Sequence, residues 1–277
     1  MPSYRELLCT KLSTDFREAT EIVTHPDLPQ ASAGHIVVKN KYLGVNAADI
    51  NVTNGVFNES PPPFGTGLDA AGTVVDVGQG ITEVNVGDNV VYDKFGAYAD
   101  CWRDRSVCSA TRQDGGNHII GTCSNDEKLG CDRVINYNKE DINEVLQKEY
   151  PEGIDVAFET IGGEMFKTVF DNMAVRGRII VFGHISEYRG DTPRSPFTVS
   201  AMNEVLLMKA ITVRGFLLRT YSDIIPTHMA NLFKLIKEVK LLAGVDPTEF
   251  LGLVQVADAI DHMYAHKNIG KIVVQLP

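Results

Sequence analysis

The rhythm of the chain changes at residue 118, and that change limits what it can fold into. Before it, short runs rich in branched residues alternate with glycine and proline turns. After it, apolar strand-like runs alternate with stretches of helical spacing, the pattern of parallel βα units. Between the two lies Ser109-Ala-Thr-Arg-Gln-Asp-Gly-Gly-Asn117, short and polar, with neither pattern. Two dissimilar domains are therefore expected.

In the first part, 36–40 and 41–45 read as two short strands, and Pro61-Pro-Pro63 marks a loop. Residues 72–78 form a further strand ending in glycine. After a turn at Gln79-Gly80, 81–86 lead into Gly87-Asp-Asn-Val-Val-Tyr92. This pattern predicts an antiparallel, barrel-like domain. In the second part, strands are expected at 118–122, 133–136, 154–158, 178–182 and 211–215. Helices are expected at 164–175 (closed by Gly177), 199–209, 221–242 and 256–264, and a last strand at 271–275. No internal repeat or low-complexity tract is visible.

Composition narrows the function classes. At 277 residues and 44% hydrophobic content the chain can bury a sizeable core. A formal net charge of −10 argues against a general nucleic-acid or anionic-membrane surface. No apolar run approaches the roughly 18 residues of a membrane span. The charged start, 1–12, lacks an apolar signal core, and Gln275-Leu-Pro277 is not a peroxisomal tripeptide. Cys9, Cys101, Cys108, Cys123 and Cys131 form no CxxC pair, which suits reduced thiols better than disulfides or a zinc cage. Asp258, His262 and His266 share a predicted helix face that could bind a metal, but a solvated face is the stronger reading.

Several blocks occur in one order: Gly44-Val-Asn-Ala-Ala-Asp-Ile50, Gly67-Leu-Asp-Ala-Ala-Gly72, Val86-Gly-Asp-Asn-Val90 and Asn268-Ile-Gly-Lys-Ile-Val-Val274. Their succession resembles the medium-chain dehydrogenase/reductase superfamily. Leu12-Ser-Thr-Asp-Phe-Arg-Glu-Ala19, Gly121-Thr-Cys-Ser-Asn-Asp-Glu-Lys128 and Glu149-Tyr-Pro-Glu-Gly153 are closer still to its quinone-oxidoreductase-like, prostaglandin reductase 3 group. The resemblance implies an α/β fold: a GroES-like antiparallel β-barrel domain (1–110, with 250–277 returning to it) plus a Rossmann doubly wound parallel-sheet domain (111–249).

Zinc-using relatives carry cysteine where Asn46 stands and a His-Glu pair where Leu68-Asp69 stands. They also insert a four-cysteine lobe near 93–97. Zinc needs three or four converging ligands, and one carboxylate, Asp69, does not supply them. The expected chemistry is thus zinc-independent hydride transfer from NADPH to an electron-poor carbon. The resemblance implies reduction of the C=C bond of 15-oxo-prostaglandin-like enones, or of quinones. The protein's task is then positioning and oxyanion stabilisation. Asn46 is the candidate catalytic donor, its alternative role being to hold the turn that starts at Gly44. Phe57 stands where related enoyl reductases have a proton-donating tyrosine.

Cofactor preference is read at the end of the second Rossmann strand, where small polar and cationic groups accept the 2′-phosphate of NADPH. Ser124 and Lys128 are the candidates, with Asn125, although Asp126 and Glu127 lie between them and Ser124 could simply cap a helix. By resemblance, Tyr137, Thr160, Phe182, Tyr188, Phe216, Leu217, Leu218 and Asn268 line the cofactor and substrate site. Several of these also suit plain packing. A small-molecule enone or quinone is the expected partner, with no nucleic acid and no membrane span. A homodimer is open, as is a cytoplasmic or a peroxisomal location.

One part of the pattern is missing. In a sheet of order 3-2-1-4-5-6, strand 1 is central, and the glycine turn and helix after it hold the pyrophosphate. That strand, turn and helix belong after Cys108, where the chain has only 109–117. Gly115-Gly116 lacks a strand before it and a helix after it. Residues 125–130 are one helical turn at most, whereas a parallel crossover needs on the order of a dozen residues. The Rossmann domain is expected to be incomplete. Weak activity or none is expected of this chain. A non-catalytic protein of the same fold, or an unstable splice or gene-model product, are the alternatives.

Overall fold

The computed structural model describes residues 3–58, 60–104, 118–124, 131–190, 198–239, 241 and 244–277. Residues divide by contacts into one unit of Met1–Gln113 with Asp223–Pro277 and a second of Asp114–Ser222.

The first unit starts with β1 (Tyr4–Cys9), α1 (Phe16–Ala19) and β2 (Thr20–His25). β1 and β2 pair antiparallel over six residues. Asp15 starts α1 by accepting from the Arg17 and Glu18 amides. Then come β3 (Ile36–Gly44), α2 (Asp49–Thr53), β4 (Phe64–Gly65), β5 (Asp69–Val77), β6 (Asn89–Asp93) and β7 (Cys101–Asp104). β3 is one strand where the sequence suggested two. No turn residue separates 40 from 41, and the break in pattern is a bulge, the register against β5 shifting between Asn40 and Tyr42. β3 lies between β5 and the chain's C-terminal strand, and β7 also pairs with it.

Alternation along β3 and β5 buries Val38, Leu43, Ala70 and Val74 in a core shared with Ile50, Val52 and Tyr98. A buried amide ties the loop before β7 to this sheet: Asn40 Nδ2 donates to the carbonyls of Ala97 (3.1 Å) and Ala99 (2.9 Å). Its Oδ1 accepts from the Tyr92 hydroxyl at 3.0 Å, so no polar atom of that side chain is left unpaired.

The second unit holds β8 (Ile120–Cys123), β9 (Arg133–Asn136), α3 (Ile142–Glu149), β10 (Ile154–Glu159), α4 (Gly163–Asp171), β11 (Met173–Val181), α5 (Val199–Lys209) and β12 (Thr212–Gly215). The three strand pairs described here are all parallel, β8–β9 in one sheet and β10–β11 and β11–β12 in another. α4 is shorter than the periodicity suggested. Asn172 ends it, its Nδ2 donating to the Thr168 carbonyl, and Met173 already pairs with Ile154 as a strand residue. Gly177 therefore lies inside β11 and does not cap the helix.

Among the described residues β8 pairs only with β9, and β10 only with β11. By chain order these correspond to strands 3-2 and 4-5-6 of the doubly wound order, and no described strand pairs with the two edges that would flank strand 1. The faces tell the same story. Ala157, Ile179, Val181 and Val213 pack with Phe166, Phe170, Met202 and Leu206 of α4 and α5. On the opposite face Val156 pairs with Arg178 and Arg178 with Thr212, while Phe158 pairs with Ile180 and Ile180 with Arg214. There Phe158 is 73% exposed and Val156 41%. Right-handed crossovers put the helices after strands 1 and 2 on the face opposite those after strands 4 and 5. The bare face is the one those two helices would cover, whereas parallel sheets are ordinarily covered on both.

The chain then returns to the first unit through α6 (Ile225–Lys237), β13 (Phe250–Leu251), α7 (Val256–Tyr264) and β14 (Val273–Gln275). β14 pairs antiparallel with β3, and the Leu276 amide donates to the Lys41 carbonyl at 2.8 Å. Among the described residues no helix is long and apolar enough to cross a membrane.

Candidate active site

In the first unit, three loop and strand-end side chains converge. Asn46 follows β3, Asp69 opens β5, and Lys271 precedes β14, so the β14–β3–β5 pairing brings them together. Gly44, paired with Asp69, permits the approach: a methyl group there would fall on the Asp69 carboxylate. The Lys271 ammonium donates to Asn46 Oδ1 at 2.7 Å and lies 3.4 Å from Asp69 Oδ1. Asn46 Nδ2 donates to Asp69 Oδ1 and to the Gly44 carbonyl. Both amide hydrogens of the candidate donor are thus committed within the protein, and its oxygen faces a cation. Lys271 has a third N–H with no acceptor among the described residues.

Beneath this cluster Asp49 is fully buried. One carboxylate oxygen accepts from the Asn46 amide (2.8 Å) and the Tyr98 hydroxyl (2.6 Å), while the other has no partner among the described residues. Burial pushes the Asp49 carboxyl up to about 7, and burial with the nearby carboxylate pushes the Tyr98 phenol well above its usual range. Asn268 supports the turn into Lys271, its Nδ2 donating to the Gly270 carbonyl at 3.0 Å. Phe57, which carries no hydroxyl, is 37% exposed.

The zinc question can be put to these residues. Asn46 and Leu68 offer no thiolate or imidazole, and the Asp69 carboxylate already faces an ammonium that would repel a dication. The set does not fit zinc. On α7 the Asp258 carboxylate accepts from Arg17 at 2.6 Å, and His262 turns to Asp246 (3.5 Å) and ring-to-edge on Phe250. No group of three or more metal-ligating side chains occurs among the described residues.

In the second unit, the candidates share one place in the topology: each lies just past the carboxyl end of a parallel strand. Ser124 follows β8, Tyr137 follows β9, Thr160 follows β10, Phe182 follows β11, and Phe216, Leu217 and Leu218 follow β12. Ligands of open α/β sheets bind at that edge. Backbone bonds fix the ends: Tyr137 N–H to the Cys123 carbonyl (3.1 Å), Phe182 N–H to Glu159 (2.8 Å) and Phe216 N–H to Val181 (2.9 Å). The Phe182 ring stacks on Phe216 (centroids 5.2 Å apart), and Phe216 on Tyr221 (4.9 Å), all nearly parallel. Arg214 donates to the Tyr221 hydroxyl at 2.8 Å. Tyr188 folds back on the same edge, its hydroxyl accepting from the His184 amide at 3.3 Å. Lys128 lies outside the described residues.

Lys271, Tyr221 and Asp49 were not singled out from the sequence. Lys271 did have a signal, being a lone cation between Gly270 and an apolar strand inside a block already noted.

Residues 32–131 match the family profile described as alcohol dehydrogenase GroES-like domain, and 106–237 the one described as zinc-binding dehydrogenase. A probable quinone oxidoreductase of Leishmania amazonensis is 33% identical, the comparison covering 99% of this chain and 98% of that protein. Prostaglandin reductase-3 of Mus musculus is also 33% identical, over 99% of this chain and 89% of that protein. The first comparison runs over 334 positions. Set against the 277 residues of this chain, the relative carries at least 57 that this chain lacks. An Escherichia coli quinone oxidoreductase solved with NADPH superposes with a TM-score of 0.80 at 18% identity, over 98% of this chain and 99% of that one. The fold is therefore a GroES-like domain with a Rossmann-like domain, and the chain belongs to the quinone-oxidoreductase-like branch of the medium-chain dehydrogenase/reductase superfamily.

Proposed function

We propose that the chain derives from a zinc-independent, NADPH-dependent reductase of α,β-unsaturated ketones or quinones, and that the lack of a central strand among the described residues leaves it weak in that reaction. The observation that carries the reading is the alignment of Ser124, Tyr137, Thr160, Phe182 and Phe216 at the ends of five parallel strands. The names of the two whole-length relatives point to the same pair of substrate classes. Bound NADPH would supply the hydride. Ser124, with Lys128, would hold its 2′-phosphate, and Thr160, Phe182 and Phe216–Leu218 its nicotinamide end. Among the described residues nothing offers the glycine turn and helix start that cradle a pyrophosphate, so affinity should fall.

The choice between enone and quinone rests on the ring stack. Phe182 and Tyr221 each stack on Phe216, and an aromatic edge of this kind suits the flat ring of a quinone better than a flexible enone chain. Quenching of protein fluorescence by added NADPH, with NADPH oxidation followed beside a 15-oxo-enone or a benzoquinone, tests the reading. Millimolar or weaker binding with slow, saturable oxidation is expected. Absence of any binding by a cooperatively melting chain would favour a non-catalytic protein of this fold.

A further inference from the structure

We propose that Lys271 is the catalytic cation, the group whose ammonium pairs with the substrate oxygen as negative charge develops on it. This rests on the reductase reading above and adds to it the residue that does the electrostatic work. Hydride arriving at the β-carbon of an enone pushes the C=C electron pair toward the carbonyl, leaving an enolate whose oxygen is anionic. A proton from water then completes the α-carbon. The oxyanion needs a donor that stands free of other acceptors and does not move as charge forms.

Four observations select Lys271 for that role. Asn46 cannot donate without breaking bonds, because both its amide hydrogens go to Asp69 and the Gly44 carbonyl. Phe57 has no hydroxyl to give. The Tyr98 hydroxyl is buried and spent on Asp49 and the Gly44 carbonyl. Lys271 alone in the cluster has an N–H to spare, on a side chain 40% exposed. Asn46 Oδ1 and Asp69 Oδ1 hold the ammonium from two directions, which aims the third N–H.

A stable phenolate mimics the enolate oxygen and needs no cofactor, so binding of 4-nitrophenolate, read by its absorbance shift, tests Lys271 directly. Full-length protein should bind the phenolate in preference to the phenol. Lys271→Met should lose roughly tenfold or more in that affinity, as expected for removal of a charged hydrogen bond, and Lys271→Arg should retain most of it. Unchanged binding in a cooperatively melting Lys271→Met protein would overturn the proposal, since a lysine that merely pins the strand would alter only the melt. If Lys271→Met does not fold, the wild-type protein decides alone: failure to favour the phenolate over the phenol overturns the proposal as well. NADPH titration of the same samples keeps the two readings apart. Phenolate binding without NADPH binding leaves Lys271 an oxyanion-binding group but overturns its catalytic role together with the reductase reading for this chain.

Discussion

The Tyr98 hydroxyl donates across 2.6 Å to Asp49, a carboxyl group with no exposed surface and one oxygen unpartnered among the described residues. Burial raises its pKa from an ordinary 3.8 to about 7. A carboxyl group raised in the folded state favours folding when protonated. Its contribution is fully present below pH ~4 and is lost as pH rises toward about 7, at up to about 1.4 kcal/mol per unit. Asp49→Asn, isosteric and neutral, should remove that slope. Urea unfolding at about pH 5 and pH 7 checks it: wild type should weaken relative to Asp49→Asn as pH rises, and parallel pH profiles would refute the assignment.

Gly44 is where the candidate site depends on a missing side chain. A methyl group there meets the Asp69 carboxylate, which would have to leave Asn46 and Lys271. Gly44→Ala should destabilise by about 1–3 kcal/mol, the usual range for overpacking. It should also weaken 4-nitrophenolate binding, because the ammonium loses one of its two anchors. Chemical denaturation and the phenolate titration measure the two effects on one sample. Wild-type values in both would show that Asp69 does not need this approach.

The bare face of the second unit makes a solubility prediction. Phe158 projects from β10 with 73% of its surface exposed, beside Val156 and Ile180. Apolar surface next to an open strand edge invites association. Phe158→Lys should suppress concentration-dependent light scattering and change stability by no more than about 0.5 kcal/mol, as for an exposed site. Ala157→Lys, one residue away on the face covered by α4 and α5, should prevent folding. Equal behaviour of the two variants would mean that both faces are covered in solution.

Legibility in the sequence followed the range of the interactions. β9, α5 and α7 are found at the residues that periodicity indicated, because local apolar spacing decides them. α4 was overread, since Met173 and Val175 continue the helical spacing but belong to β11, where Met173 pairs with Ile154. α3 went unseen although Asp141 caps it by accepting from the Glu144 amide at 2.9 Å; its three apolar residues make a weak stripe. β1 went unseen as well, because the adjacent charges Arg5 and Glu6 break any apolar alternation ahead of Leu7-Leu-Cys9. Tyr137, Thr160, Phe182 and Phe216 were named from the family resemblance, and their shared place at strand ends emerges only with the topology. Lys271 was not readable, since it meets Asn46 across 225 positions of chain, and no spacing rule reports such a contact.

The open edges of β8 and β10 give the last prediction. Parallel strands direct alternate amides to each neighbour, so about half the amides of β10 face an edge with no partner among the described residues. Hydrogen exchange should therefore separate β10 from β11: the central β11 amides should be protected, while alternate β10 amides exchange orders of magnitude faster. Inserting a strand, glycine turn and helix between residues 108 and 118 should protect those β10 amides, and NADPH affinity should rise roughly 100-fold as the pyrophosphate regains a helix N-terminus. The two readouts are linked by geometry, since the same strand that fills the edge aims the turn. Protection without tighter NADPH would mean that the pyrophosphate turn is not what limits binding. Neither change would mean that the β8 and β10 edges are not the two sides of one gap.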